Sequence, residues 1–281
     1  MPLLELESSG FRDQFSRTPF LVRHHLADHP LFALSKLVEL SRRLPASRVE
    51  YNAGNVPLTL DPANTPQTGL SAEETIRRIS ECKSWLVLKN VEQDPEYGEL
   101  LDRCLAEVRV LSQAISPGML DRESFIFISS PGSITPYHMD PEENFLLQIR
   151  GSKTMRVFDP SDPSVLSEAE IERFYNGAHR NLVFRDEIAA KARAFELSPG
   201  LGVHVPVTAP HWVQNGPEVS VSYSITFQTK ASLRRAQAYR MNAGLRRWGL
   251  RPGPIGRSPL RDGLKQIAFR AKTRAERLIA R

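Results

Sequence analysis

Hydrophobic residues change their period partway along the chain, from helical spacings of three and four to alternation, which separates a helical part from a stranded one. Through the first 120 residues the helical period dominates. Leu31, Leu34, Leu37, Val38 and Leu44 form a stripe behind Pro30, a residue suited to a helix's first turn. Ser71-Ala-Glu-Glu74 is a capping box that predicts a helix toward Cys82. Leu100, Leu101, Cys104, Leu105, Val108 and Leu111 mark a further amphipathic helix. A single strand is predicted among them, at residues 85–89. Residues 52–68, rich in Pro, Asn, Thr and Gly, read as a surface loop.

From about Ser124 the pattern becomes stranded. A strand at 125–128 precedes a Pro-Gly turn, and strands at 145–149 and 154–158 flank Gly151-Ser152, which reads as a hairpin. Residues 161–193 look like a charged, largely helical insertion. Strands resume at 195–197, 203–205 and 219–227. In the last of these, Val219, Val221, Tyr223, Ile225 and Phe227 share one face; Ser220, Ser222, Ser224 and Thr226 share the other. A face of small hydroxyls suits the wall of a polar cavity inside a barrel; a solvent-facing edge strand is the plainer alternative. The expected organisation is a mainly helical region at 1–120 packed on a barrel at 121–230, with a helical extension at 231–281.

Bulk composition adds limits. In 281 residues, 41% hydrophobic and 25% charged content is ordinary for a soluble globular chain. No apolar run reaches the roughly 18 residues of a membrane span. The acidic start, Met-Pro-Leu-Leu-Glu-Leu-Glu, lacks the layout of a signal peptide. Cys82 and Cys104 are the only cysteines and are expected to be reduced thiols of a cytoplasmic protein.

The net charge of +5 conceals an asymmetry. Residues 230–281 carry 15 Lys+Arg against two acids, a net +13, while the rest carries 22 against 30, a net −8. Residues 263–279 form an amphipathic helical pattern with a cationic face. It suits docking on the acidic body, pairing with a second subunit as a homodimer, or contact with a polyanion such as nucleic acid or an anionic membrane. Gly249 to Pro259, with three prolines, reads as a linker that frees this helix.

The candidate chemistry lies in Thr135-Pro-Tyr-His138-Met-Asp140 and, 71 residues after Asp140, in Ala209-Pro-His211-Trp212. Two histidines and a carboxylate are the ligand set of the facial triad, which holds non-haem Fe(II) and leaves positions open for other ligands. The i, i+2 spacing points His138 and Asp140 to one side of an extended chain, so a later strand of the same sheet must supply His211. His204, alternating with Val203 and Val205, competes with His211 for the third position. His24, His25, His29 and His179 have no partner at ligand spacing and read as surface or capping residues.

The stretch from Thr135 through Asn144 to Gly151-Ser-Lys153 resembles the JmjC/cupin-like 2-oxoglutarate oxygenases, nearest to the HIF asparaginyl hydroxylase type. Val203-His-Val-Pro206 with Pro210-His211-Trp212 is similar to a second element of that family. The resemblance covers roughly residues 120–230 and implies a mainly β fold with flanking helices, a double-stranded β-helix of the cupin or jelly-roll kind. It implies Fe(II) held by His138, Asp140 and His211, with 2-oxoglutarate and O2 as cosubstrates. Lys153 would pair with the far carboxylate of 2-oxoglutarate and Thr135 would add a hydrogen bond. Asn144, Ser222 and Ser224 would line the cosubstrate site. The family's acidic residue is missing from Pro199-Gly200-Leu201-Gly202. The expected function is hydroxylation of a C–H bond in a protein side chain or small metabolite. The competing classes are a cupin enzyme that does not use 2-oxoglutarate and a non-catalytic cupin-like regulator that binds a polyanion through its basic tail.

Overall fold

A computed structural model describes residues 2–279. In chain order it contains β1 (Leu4–Glu5), α1 (Ser8–Gln14), β2 (Phe20–His24), α2 (Leu34–Arg43), β3 (Val49–Ala53), α3 (Ala72–Arg77), β4 (Ser84–Lys89) and α4 (Pro95–Ser112). Then follow β5 (Leu120–Ser129), β6 (Ile134–His138), β7 (Glu143–Arg150), β8 (Lys153–Val157), α5 (Glu168–Tyr175), β9 (Arg193–Leu197) and β10 (Leu201–Val205). The chain ends with β11 (His211–Asn215), β12 (Ser220–Gln228), α6 (Lys230–Arg247) and α7 (Pro259–Ile279).

The strands form an antiparallel eight-stranded sheet, ordered β1-β2-β10-β7-β12-β5-β4-β3, and a four-stranded sheet, ordered β6-β11-β8-β9. The first 120 residues therefore supply four strands, where the hydrophobic pattern predicts one. β1 and β2 close one edge of the larger sheet; β3 and β4 close the other. Strands of two to five residues at a sheet edge are too short to show a clear alternation, and tertiary pairing decides them.

Side-chain alternation explains the layering. Val221, Tyr223, Ile225 and Phe227 of β12 are wholly buried in the main core, with Ile126 and Ile128 of β5, Phe145 and Leu147 of β7, and the N-terminal helices. Their opposite neighbours, Ser220, Ser222, Ser224 and Thr226, are also buried. β12 is flanked by β7 and β5, so its hydroxyl face is no solvent edge. A second cluster fills the space between the sheets, from Leu146, Val203 and Val205 on one side to Met155, Val157 and Val213 on the other.

Gly151-Ser152 is not a hairpin. β7 and β8 lie in different sheets, so these two residues form a corner that carries the chain across the barrel. Gly151 has φ +68°, and a Cβ there would lie 2.4 Å from the carbonyl oxygen of Val219. Only glycine meets both demands. The pattern of a tight turn is the same in either case; which strand each arm pairs with depends on partners far along the chain.

The insertion is less helical than its charge pattern suggests, with eight residues in α5 and a 3-10 turn at Asp186–Lys191. Residues 249–259 do not free the terminal helix. They fold α7 back on α6: Asp262 Oδ2 accepts from Gly256 N at 2.7 Å, Lys265 donates to Gly253 O at 2.9 Å, and Arg270 donates to Gln237 at 3.0 Å. α6 in turn clasps α5 through Arg246 and Glu172 at 2.6 Å and through the stacked rings of Tyr175 and Tyr239. His29 and His179 cap local turns, whereas His24 is buried and contacts the carbonyl of Leu201. Cys82 and Cys104 are unpaired.

Candidate metal centre

His138 is the last residue of β6 and His211 the first of β11, and antiparallel pairing sets them directly opposite each other. Cross-strand neighbours have Cβ atoms about 5 Å apart, and here the imidazole centroids are 4.1 Å apart. Asp140 lies two residues beyond β6. Its backbone carbonyl accepts from Thr208 N at 2.8 Å, which ties the loop after His138 to the loop before His211. Thr208 holds φ +62°, a costly left-handed conformation for a β-branched residue and one the crossing of these loops imposes.

Oδ2 of Asp140 lies 3.6 Å from Nε2 of both His138 and His211. One donor atom from each residue lies within 4.8 Å of the others. Each imidazole directs Nδ1 at a backbone carbonyl, Pro136 at 2.7 Å for His138 and Ala209 at 2.9 Å for His211. A proton on Nδ1 satisfies these contacts and leaves the Nε2 lone pairs facing Asp140, the tautomer a metal needs. Burial, with the neighbouring His211, pushes His138 down to about 3, and burial also lowers His211. Burial works to raise Asp140, but the Arg180 guanidinium and the two imidazoles outweigh it and hold the carboxyl at about 2. Two neutral imidazoles and one ionised carboxylate directed at one point fit a divalent transition-metal ion, whose ligands must be deprotonated.

Lys153 opens β8 on the same small sheet and is only 5% exposed. Burial alone pushes its ammonium down to about 7. No carboxylate pairs with it among the described residues, so a dry site holds an amine with no anionic partner. Asn215 is its partner in the register with β11, and the buried Asn215 Oδ1 likewise has no hydrogen-bond partner. Thr135 is half-buried on β6, opposite Val213. No hydrogen bond joins Thr135 to Lys153 among the described residues. Asn144 and Ser224 are spent on each other, with Ser224 Oγ donating to Asn144 Oδ1 at 2.8 Å. Ser222 similarly donates to Gln148 Oε1 at 2.6 Å. These two pairs lie on the larger sheet, on the face of β12 opposite its core side chains Val221, Tyr223 and Ile225.

His204 does not join the site. Val203 and Val205 face between the sheets, so His204 points the other way, among Phe15, Phe20 and Phe145. There it contacts Glu143 at 3.0 Å, a pair nearly sealed from solvent, and Ser16 donates to the other carboxylate oxygen.

Arg180, from the insertion, has no signal in the motif. The segment around it runs beside β6: Met139 N donates to Arg180 O and Leu182 N to Tyr137 O. Its Nη1 donates to Oδ1 of Asp140 at 2.7 Å. Glu142 is a second unforeseen member. Burial and the nearby charge of Asp140 push its carboxyl up to about 8.

Comparison with known proteins gives the same frame. The chain is 29% identical over 102 residues to lysine-specific demethylase 8 of Danio rerio, covering 34% of this chain and 24% of that protein. It is 27% identical over 129 residues to Jumonji C domain-containing protein 5 of Drosophila melanogaster, covering 43% and 32% respectively. The chain thus spans a third or less of these curated relatives. In fold it is similar to the ribosomal oxygenase YcfD of Escherichia coli in complex with cobalt and 2-oxoglutarate. There the TM-score is 0.55 at 16% identity, over 97% of this chain and 68% of the other. YcfD with cobalt and succinic acid superposes with a TM-score of 0.53. A family model for the cupin-like domain matches residues 16–244, a stretch that includes both histidines, Asp140, Lys153 and most of the strands of the two sheets, so the chain belongs to the cupin-like domain family.

Proposed function

We propose that the protein is an Fe(II)- and 2-oxoglutarate-dependent oxygenase that hydroxylates a C–H bond of a polypeptide side chain. The observation that carries this reading is the unmatched, buried Lys153 on the sheet that bears the triad. A metal alone does not call for a dry lysine; a dicarboxylate cosubstrate does. Bound Fe(II) would supply a Lewis acid that chelates the 2-oxoacid and activates O2. The balance is one C–H bond, one O2 and one 2-oxoglutarate giving one C–OH, one succinate and one CO2.

In this reading His138, Asp140 and His211 would hold the ion. Lys153 would receive the far carboxylate, with the Thr135 hydroxyl, on β6 of the same sheet, as a further donor. Asn144, Ser222 and Ser224 would line the site from the larger sheet, held in fixed rotamers by their hydrogen bonds. A polypeptide substrate is supported by the relatives, one named for lysine demethylation and another for ribosomal oxygenation. Glu142 lies near enough to both Asp140 and Glu123 for their charges to push its carboxyl up, which suits a cationic side chain entering the site. The setting we propose is cytoplasmic, where the two free thiols would remain reduced.

The test is anaerobic addition of Fe(II) and then 2-oxoglutarate to the purified chain. A metal-to-ligand charge-transfer band should appear in the wild type and be absent in His138→Ala. Ion binding without that band would leave a metal-binding cupin that does not use 2-oxoglutarate.

A further inference from the structure

The last helix carries a feature that the proposed chemistry does not use. Of the ten large hydrophobic side chains exposed among the described residues, six lie between Trp248 and Leu278. Four of them are on α7: Leu260 (77% exposed), Leu264 (60%), Ile267 (64%) and Leu278 (67%). Ala271 and Ala275 continue their row, so spacings of three and four residues give one stripe over about five turns.

This stripe faces away from the protein. The opposite side of α7 makes its contacts: Asp262 is buried against Gly256, Lys265 reaches Gly253, and Phe269 lies under Arg240. Cations border the exposed stripe on both sides, with Arg261 and Lys272 along one flank and Arg270, Arg274 and Arg277 along the other. Glu276 and Asp262 are the only acids from residue 230 onward, and Asp262 is spent on the turn.

We propose that this face of α7 seats on an anionic lipid surface, the helix lying in the plane of the interface. Leucine and isoleucine would enter the acyl boundary while the arginines meet headgroup phosphates. Both halves of the face are needed for this choice. Cations alone would suit a nucleic acid equally well, but exposed leucines would then be left in water. An apolar stripe alone would suit a second copy of the chain, but pairing would oppose two segments of net +13. No described helix is long and apolar enough to cross a membrane, so the contact is peripheral.

The experiment is co-sedimentation of the full chain with vesicles of phosphatidylcholine, with and without a quarter of phosphatidylglycerol. Binding is expected only with the anionic lipid. Leu264→Glu/Ile267→Glu should reduce it at least tenfold without moving the thermal midpoint, because neither side chain packs on α6. Lys272→Gln/Arg274→Gln/Arg277→Gln should weaken it by about fivefold per cation and flatten its salt dependence. Absence of wild-type binding to anionic vesicles would overturn the proposal. So would a concentration-dependent dimer that Leu264→Glu dissociates, or binding to single-stranded RNA that is tighter than to vesicles and indifferent to Leu264→Glu.

Discussion

Arg180 Nη1 grips Oδ1 of Asp140 at 2.7 Å, and the other oxygen of that carboxylate is thereby turned to face both imidazoles. An arginine 40 residues downstream sets the rotation of a ligand beside the sheet. Supporting hydrogen bonds of this kind typically contribute ten- to a hundredfold in metal affinity. Arg180→Gln should therefore weaken Co(II) binding by at least about tenfold, measured by titration of the cobalt absorption bands. Unchanged affinity would reduce the pair to a surface ion bridge.

His138→Ala and Asp140→Ala remove ligands outright. Each should abolish Fe(II)-dependent conversion of 2-oxoglutarate to succinate while leaving the far-ultraviolet circular dichroism intact. Succinate formed at the wild-type rate by either variant would reject the triad.

Lys153 makes a prediction in pH. Its folded-state value of about 7 lies below the ordinary 10.5, so the unfolded chain binds the proton more readily. The stability cost is full below about pH 7 and disappears as pH rises toward 10.5. Ligand-free wild type should gain stability across that window; Lys153→Met should lack the slope and be more stable at pH 7. A bound dicarboxylate recharges the amine, so above pH 7 the wild type should take up a proton on binding 2-oxoglutarate. Apparent affinity should then fall by up to tenfold per pH unit, with no such fall in Lys153→Met. Calorimetry in buffers of different ionisation enthalpy would detect the proton.

His204 and Glu143 separate stability from metal binding. Removing one partner of a buried pair leaves the other unmatched and typically costs roughly 3–5 kcal/mol. His204→Phe should lower stability by about that much in denaturant unfolding, yet bind Co(II) with wild-type affinity. Loss of cobalt binding in a folded His204→Phe protein would place His204 back among the ligands.

Much of the barrel can be read along the chain because its strands are long enough to repeat. Nine residues of β12 declare two faces, and the Thr-Pro-x-His-x-Asp run names its chemistry in six positions. The Ser71 capping box and the amphipathic α4 are local features, settled by neighbours within a turn or two. His204 shows the limit. Alternation put it on one side of β10 or the other, and only the packing of Phe15, Phe20 and Phe145 around its ring decided which.

What the linear chain determined by itself was therefore periodicity, caps and the kinds of ligand present, since each depends on residues close in sequence. Tertiary structure alone decided that Gly151 turns a corner between sheets, that β1–β4 complete the larger sheet, that Arg180 reaches Asp140, and that α7 folds back on α6. These are pairings between segments tens of residues apart. Nothing in the local pattern encodes a partner, because the hydrogen bonds of a strand edge and the reach of an arginine are the same whatever they meet.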